Sequence, residues 1–296
     1  MNTRSTERLP SALLVGATGF VGAHILGHLI ETHAVTAVRF GSLPAGGICD
    51  WVEAGGALKP SNWIPRSPPS CIVNAAALSA IGACEADPAA ARALNTRLPA
   101  DLAEIAQSLG IRLVHLSTDQ VFDGSAAPYT EGSSPTPITV YGETKAAGEQ
   151  AVLEGCDNAA VVRLNLVYGR ARGPRASGFD AMLASAREGR DIPLFTDEFR
   201  SPISVVDAAK AICAMASSSH TGLLHLGGPE ALSRFDLGEA VLRAHGLEDM
   251  ARRSSLRDYK GPPRSPNTVF DDTLARRILT SPPRPLRAAL QGAFTP

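Results

Sequence analysis

A charge imbalance is the first thing this sequence lacks: 28 Lys and Arg stand against 29 Asp and Glu, for a formal net charge of -1 over 296 residues. No net field draws such a chain to nucleic acid or to an anionic membrane surface, although a local basic cluster can still hold a small anion. Cysteine is scarce and unpatterned. Cys49, Cys71, Cys84, Cys156 and Cys213 are odd in number and contain no C-x-x-C pair, which argues against a disulfide framework or a zinc site and for buried thiols in a reducing compartment. No apolar run approaches the ~18 residues of a membrane-spanning helix. The opening MNTRSTERLPS is too polar for the apolar segment of a signal peptide, so the cytoplasm is the expected location. A metal centre is also not expected. His24 and His28 share a helical face, but Ile25 stands where H-E-x-x-H requires Glu, and the pair reads as a partly solvated helix face.

What is present alternates. SALLVGA, AVTAVRF, CIVNAAA, RLVHLST and VVRLNLVYG (Val161 to Gly169) read as strands, and TGFVGAHILGHLIETH and ALNTRLPADLAEIAQSLG read as helical. Near-continuous apolar strands separated by helices predict an α/β fold, a doubly wound parallel sheet of the Rossmann-like kind. Length sets a prior of roughly two domains. Residues 1–167 are expected to form a dinucleotide-binding domain. Residues 168–296 are expected to form a smaller, interleaved substrate lobe, from which a helix and strand at about 204–228 return to the cofactor domain.

GATGFVG places Gly16, Gly19 and Gly22 at spacing three and three, directly after a strand and directly before a helix. Gly16 permits a tight turn, Gly19 lets backbone approach a pyrophosphate, and Gly22 lets helix pack on strand, with phosphate on the helix N-terminus. Thr18, Phe20 and Val21 of the same turn, and Ala75, Ala76 and Ala77 at the end of CIVNAAA, are further expected cofactor contacts, with Tyr141 and Lys145. The second strand ends in Arg39 and offers no acid for a ribose 2′-hydroxyl, so NADP(H) is expected in preference to NAD(H).

Two further stretches carry chemistry. RLVHLST ends in Thr118, at the strand end where doubly wound sheets bind ligands, and VYGETKAAGE puts Tyr141 and Lys145 one turn apart on one helical face. GATGFVG, VNAAA, LNTRLPADLA, LSTDQVF, VYGETKAAGE and VVRLNLVYG, in that order, resemble the extended short-chain dehydrogenase/reductases, and within them the dTDP-4-dehydrorhamnose reductase family. LHLGGPEALSRFDLGEAV and NTVFDDTLARRIL extend the likeness over nearly the whole chain.

The resemblance implies that Tyr141 is the general acid of a ketone reduction. It makes Lys145 the activator of Tyr141 and a ligand of the nicotinamide ribose, and Thr118 the donor that positions the carbonyl. Asn95 would support the site. A phenol with an ordinary pKa of about 10 needs a nearby positive charge to work at neutral pH, and Lys145 is expected to supply it. Gln120, Asn165, Arg175 and Arg200 join Thr118 as expected substrate contacts. Arg170, Arg172, Arg175 and Arg200 form a basic set suited to the diphosphate of a nucleotide sugar.

Gln120, Leu78, Gly82 and Leu166 depart from the family's usual residues around the sugar. The implied activity is NADP(H)-dependent reduction of a 4-keto-6-deoxy nucleotide sugar or related ketone, in a homodimer by the superfamily's habit. An epimerase or dehydratase using the same Tyr and Lys is one alternative. A non-catalytic cofactor-binding subunit, like the regulatory subunit of methionine adenosyltransferase, is another.

Overall fold

Seven apolar runs lie side by side as one parallel sheet. In the computed structural model, which describes residues 9–40, 49–54, 58–172 and 176–295, they are β1 (Ser11–Val15), β2 (Ala34–Arg39), β3 (Asp50–Glu53), β4 (Cys71–Asn74), β5 (Arg112–Thr118), β6 (Ala159–Leu164) and β11 (Gly222–Leu226). Their order is β11-β6-β5-β4-β1-β2-β3, and every pairing is parallel. β4, β5 and β6 are buried along their whole length, so both faces must be covered.

Successive strand residues supply the two faces in alternation. Leu14, Val73, Val114 and Val162 pack under α1 (Phe20–Leu29) and α7 (Val205–Ala216). Leu13, Ile72, Leu113 and Val161 pack under α4 (Leu98–Leu109) and α5 (Val140–Gly155). Between β4 and α4 run the short helices α2 (Ile81–Ala86) and α3 (Pro88–Arg92), then a single π-helical turn, Ala93–Arg97. From β1 the chain steps outward to β3 and then returns to β4 on the other side of β1. The crevice at the C-terminal ends of β1 and β4 is therefore the topological switch point at which such sheets bind ligands.

The remaining elements make a smaller lobe. β7 (Val167–Tyr168) pairs with β10 (Ile203–Ser204), β9 (Phe199–Arg200) with β12 (Leu232–Ser233), and β8 (Ile192–Phe195) with β13 (Ala251–Ser254). Helices α6 (Gly178–Arg187), α8 (Arg234–Arg243) and α10 (Leu286–Ala293) enclose a second core of Tyr168, Phe179, Leu183, Leu194, Phe235 and Leu242. Ser177 with Asp180 and Ser233 with Asp236 cap α6 and α8 reciprocally. α9 (Thr273–Ile278) packs on the main core. α7 and β11 belong to the layers of the seven-stranded sheet, β11 as the strand beside β6.

Two local expectations are corrected. The run Val161 to Gly169 is not one strand: β6 stops at Leu164, and β7 belongs to a different ladder. Asn165 breaks it, because its Oδ1 accepts from the Leu166 and Ser201 backbone N–H groups, each at 2.9 Å. His24 is not solvated either. It is buried, and its Nε2 lies 2.9 Å from the Arg170 carbonyl oxygen.

Candidate active site

The glycine turn at the switch point is shaped by contact. Gly16 has φ +87, where a side chain is strained, and a Cβ on it would stand 2.6 Å from the Ala76 nitrogen. A Cβ on Gly22 would stand 2.1 Å from the Gly16 carbonyl oxygen. Gly19 is the N-cap of α1 and supplies no side-chain cap, so the first-turn N–H groups after it are left for another acceptor. No acid stands in that turn to repel an anion. Thr18, Phe20 and Val21 lie on this turn, while Ala75 donates its N–H to Val15 O at 2.8 Å and Ala76 to Asn74 Oδ1 at 3.1 Å, placing Ala75, Ala76 and Ala77 on the facing lip. These residues fit a dinucleotide pyrophosphate. Arg39 ends β2, in register with Glu53 of β3, and its Nη2 lies 4.0 Å from Glu53 Oε2.

The start of α5 carries the next groups. Thr139 caps the helix by accepting the Gly142 N–H at 3.1 Å, and Glu143 complements the dipole in the first turn. Glycines inside a helix cost about 1 kcal/mol each relative to alanine, yet α5 holds two at its tightest contacts. A Cβ on Gly142 would lie 2.2 Å from Gln120 O, and one on Gly148 2.1 Å from Asn95 O. The first contact seats α5 on the loop after β5, and the second seats it on the π-helical turn. Asn95, fully buried there, accepts from Leu78 N at 2.9 Å and donates to Leu78 O at 3.0 Å and to Thr144 Oγ1 at 3.1 Å.

That packing brings Thr118, Tyr141 and Lys145 together, all buried. Thr118 stands beside the Tyr141 phenol. Burial, only partly opposed by Thr118, raises the phenol pKa well above its ordinary value. Lys145 Nζ does not reach the phenol. It donates to Leu116 O at 2.5 Å and lies 3.2 Å from Nε2 of His115, and burial lowers its pKa to about 8 against the raising influence of Glu149. Burial thus disfavours the charged form of each group, and Nζ is held by Leu116 and His115 of β5.

The basic set does not converge. Arg200 is buried in β9, with Nε 3.0 Å from Asp119 Oδ2 and Nη2 2.9 Å from Glu198 Oε1. Arg264 holds the same Glu198 at 2.8 Å, and Thr268 donates to Asp119. Gln120 also turns to Asp119, its Nε2 donating to Oδ2 at 2.9 Å. Arg170 is exposed beside Asp180, Arg187 and His245. Arg172 lies along α1, near His24 and Gly27. Arg175 falls outside the described residues. Asn165 is buried, donating to Thr268 O at 2.7 Å while its Oδ1 serves two backbone N–H groups. Arg200 and Asn165 are thus struts between lobe and cleft, occupied by the protein itself.

A different arginine faces the cleft. A pocket of about 350 Å³ between the glycine turn and the lobe is lined by Phe20, Leu166, Val167, Phe179, Met182, Ile192, Leu194 and Arg234, within the usual size for a small-molecule site. Arg234 stacks over Phe179 with 5.8 Å from its Cζ to the ring centroid, and burial lowers its pKa to about 10. Sequence reasoning passed it over. The signal was its place: it is the first residue of α8, inside the Ser233–Asp236 capping box, where the helix dipole disfavours a cation.

The chain matches the family model described as the RmlD substrate binding domain over residues 11–296. It is 35% identical to a dTDP-4-keto-6-deoxy-D-glucose reductase of Streptomyces niveus, over 78% of this chain and 81% of that protein. Against a Haloferax volcanii protein named probable low-salt glycan biosynthesis reductase Agl14, identity is 34% over 62% of this chain and 63% of that protein, just under two thirds of its length. Rat methionine adenosyltransferase 2 subunit beta is 33% identical over 60% of this chain and 55% of that protein.

Among solved structures, a hypothetical dTDP-4-dehydrorhamnose reductase from Sulfolobus tokodaii superposes with TM-score 0.83 at 26% identity, covering 97% of this chain and 100% of that one. The fold also matches a dTDP-4-dehydrorhamnose reductase from Bacillus anthracis in complex with NADP, with TM-score 0.81 at 20% identity over 96% and 98% of the two chains. It likewise matches MoeE5 in complex with UDP-glucose and NAD, with TM-score 0.80 at 23% identity over 96% and 97%.

Proposed function

The chain belongs to the RmlD substrate binding domain family, an RmlD-like branch of the short-chain dehydrogenase/reductases, and from that premise we propose that it is an NAD(P)-dependent reductase of the keto group of a 4-keto-6-deoxy nucleotide sugar or a closely related ketone. The observation that carries the reading is the buried pairing of Thr118, at the C-terminal end of β5, with Tyr141 of α5, in a sheet whose switch-point turn, Gly16 to Gly22, fits a pyrophosphate. Bound there, the dinucleotide would supply the hydride.

The chain's own groups do the rest. Tyr141, a phenol that carries its proton at neutral pH, would protonate the alkoxide that forms on the ketone oxygen. Thr118 offers a hydroxyl to the same oxygen. Lys145, one turn from Tyr141, is the group that would meet the nicotinamide ribose. Arg234 presents a cation to the diphosphate, and the apolar walls at Phe179, Met182 and Leu194 take the base and sugar carbons. Arg39 stands where the ribose 2′-substituent is read and suits a phosphate, which favours NADP(H) over NAD(H). The name of the Streptomyces niveus relative supports the substrate class.

Loss of NADPH absorbance against a panel of nucleotide-linked 4-keto-6-deoxysugars, with NADH in parallel, tests this. One NADPH consumed per ketone reduced is the expected result. Conversion of a nucleotide sugar with no net NADPH loss would assign the site to an epimerase or dehydratase. Dinucleotide binding with no conversion of any sugar would favour a binding subunit.

A further inference from the structure

The outermost strand of the sheet ends in a charge that the reading above does not use. Arg39 and Glu53 are the last register pair of β2 and β3, and side chains in register on parallel neighbours leave the same face of the sheet. The Ala54 N–H donates to the Arg39 carbonyl oxygen at 2.9 Å, so the pairing runs past the strand end and keeps Glu53 beside the arginine. Glu53 Oε2 lies 4.0 Å from Arg39 Nη2. One residue back, the Gly16 N–H donates to Val38 O at 3.2 Å and fastens β2 to the glycine turn. The pair therefore stands at the mouth of the dinucleotide crevice, at the second-strand end where doubly wound sites read the adenosine ribose. A ligand can reach both groups, since their side chains are 21% and 56% exposed.

A ribose that ends in a hydroxyl and one that ends in a phosphate meet this pair differently. The hydroxyl is neutral and responds weakly to either charge. The phosphate carries about 1.5 to 2 negative charges near neutral pH, so the pull of Arg39 is opposed by a carboxylate held one strand away. At such separations unit charges still act on one another in water. An acid that serves NAD usually stands at the end of the second strand itself, where it bonds the 2′-hydroxyl. Here the second strand supplies a cation and the third supplies the anion.

We propose that Glu53 is a specificity-determining residue, which offsets Arg39 at the ribose 2′ position, limits the preference for the phosphorylated dinucleotide, and so leaves NADH usable by the same site. The proposal rests on the dinucleotide-binding part of the reading above and is independent of which ketone is reduced.

Glu53→Gln tests it. The side chain is exposed on an edge strand and the amide keeps its size, so the variant should melt with the wild type. Fluorescence titration of NADPH and of NADH on the whole chain, with no ketone present, reads binding without turnover. The Kd for NADPH should fall by about fivefold to tenfold, as removal of one like charge from the edge of a phosphate site does, while that for NADH stays within about twofold. The gain should shrink at high ionic strength, because exposed charges are screened.

An unchanged ratio of the two affinities in the folded variant would overturn the proposal and leave the dinucleotide reading intact. Weaker NADH binding with NADPH unchanged would also overturn it, since the carboxylate would then be holding the ribose hydroxyl. Failure of the wild-type protein to bind either dinucleotide would sink the cofactor reading itself, and the proposal with it.

Discussion

Gly142 and Gln120 touch so closely that a Cβ on the first would lie 2.2 Å from the carbonyl oxygen of the second. This contact sets the depth at which α5 enters the cleft, and with it the placement of Tyr141 beside Thr118. Gly142→Ala should therefore do the reverse of what helix propensity suggests. Alanine favours a helix by about 1 kcal/mol, but the methyl group must push α5 off the β5 loop. We expect kcat to fall by about tenfold to a hundredfold, as a shift near 1 Å in a reacting group does, with a lower Tm. Thermal melts and steady-state rates on the same preparation check both. A stabler, fully active variant would show that the contact does not set the site.

Arg39→Ala should weaken NADPH about tenfold or more, the worth of one charge-assisted hydrogen bond to phosphate, and leave NADH nearly unchanged. Fluorescence titration of the two reduced cofactors makes the comparison. Equal losses would mean that the Arg39–Glu53 pairing across β2 and β3 holds the edge of the sheet and does not read the ribose.

For Arg234→Gln the expectation is a rise in KM for the nucleotide-linked ketone of about tenfold or more, with NADPH affinity unchanged. This is because the residue lines the pocket between lobe and glycine turn and offers it a cation. Unchanged KM would place the diphosphate elsewhere.

The pH dependence of stability should carry the signature of Lys145. Its folded pKa, about 8, lies below its ordinary 10.5, so between those values the unfolded chain binds the proton more tightly and stability rises with pH. Full depression gives on the order of 3 kcal/mol across that window. Denaturant unfolding of wild type and Lys145→Met should show the difference between them shrinking from pH 8 upward. A constant difference would contradict the buried, depressed lysine.

The sheet was legible because its strands are apolar on both faces, and the turn after β1 because its glycines have mechanical tasks. The edge strand β3 was not, since Asp50–Glu53 is half-exposed and carries no apolar run. The break at Asn165 was hidden because the apolar pattern continues through it, while the cause lies in bonds to Ser201 and Thr268, distant in sequence. The same limit governed the arginines. Arg170, Arg172 and Arg200 are neighbours in composition but not in space, and Arg200 is taken by Asp119 and Glu198. Arg234 reaches the pocket only through the fold of the lobe. Spacing placed Tyr141 and Lys145 on one face, but the direction of Nζ depends on His115 and Leu116 of a separate strand.

Whether the buried Tyr141 phenol delivers the proton in a hydride-transfer reaction is tested most directly by Tyr141→Phe. The variant keeps the ring and its packing and loses one hydroxyl. NADPH affinity should stay within about twofold, while single-turnover reduction of the best nucleotide-linked ketone should fall by about a hundredfold or more, the usual worth of a general acid. Reduction at the wild-type rate with cofactor bound would contradict that role.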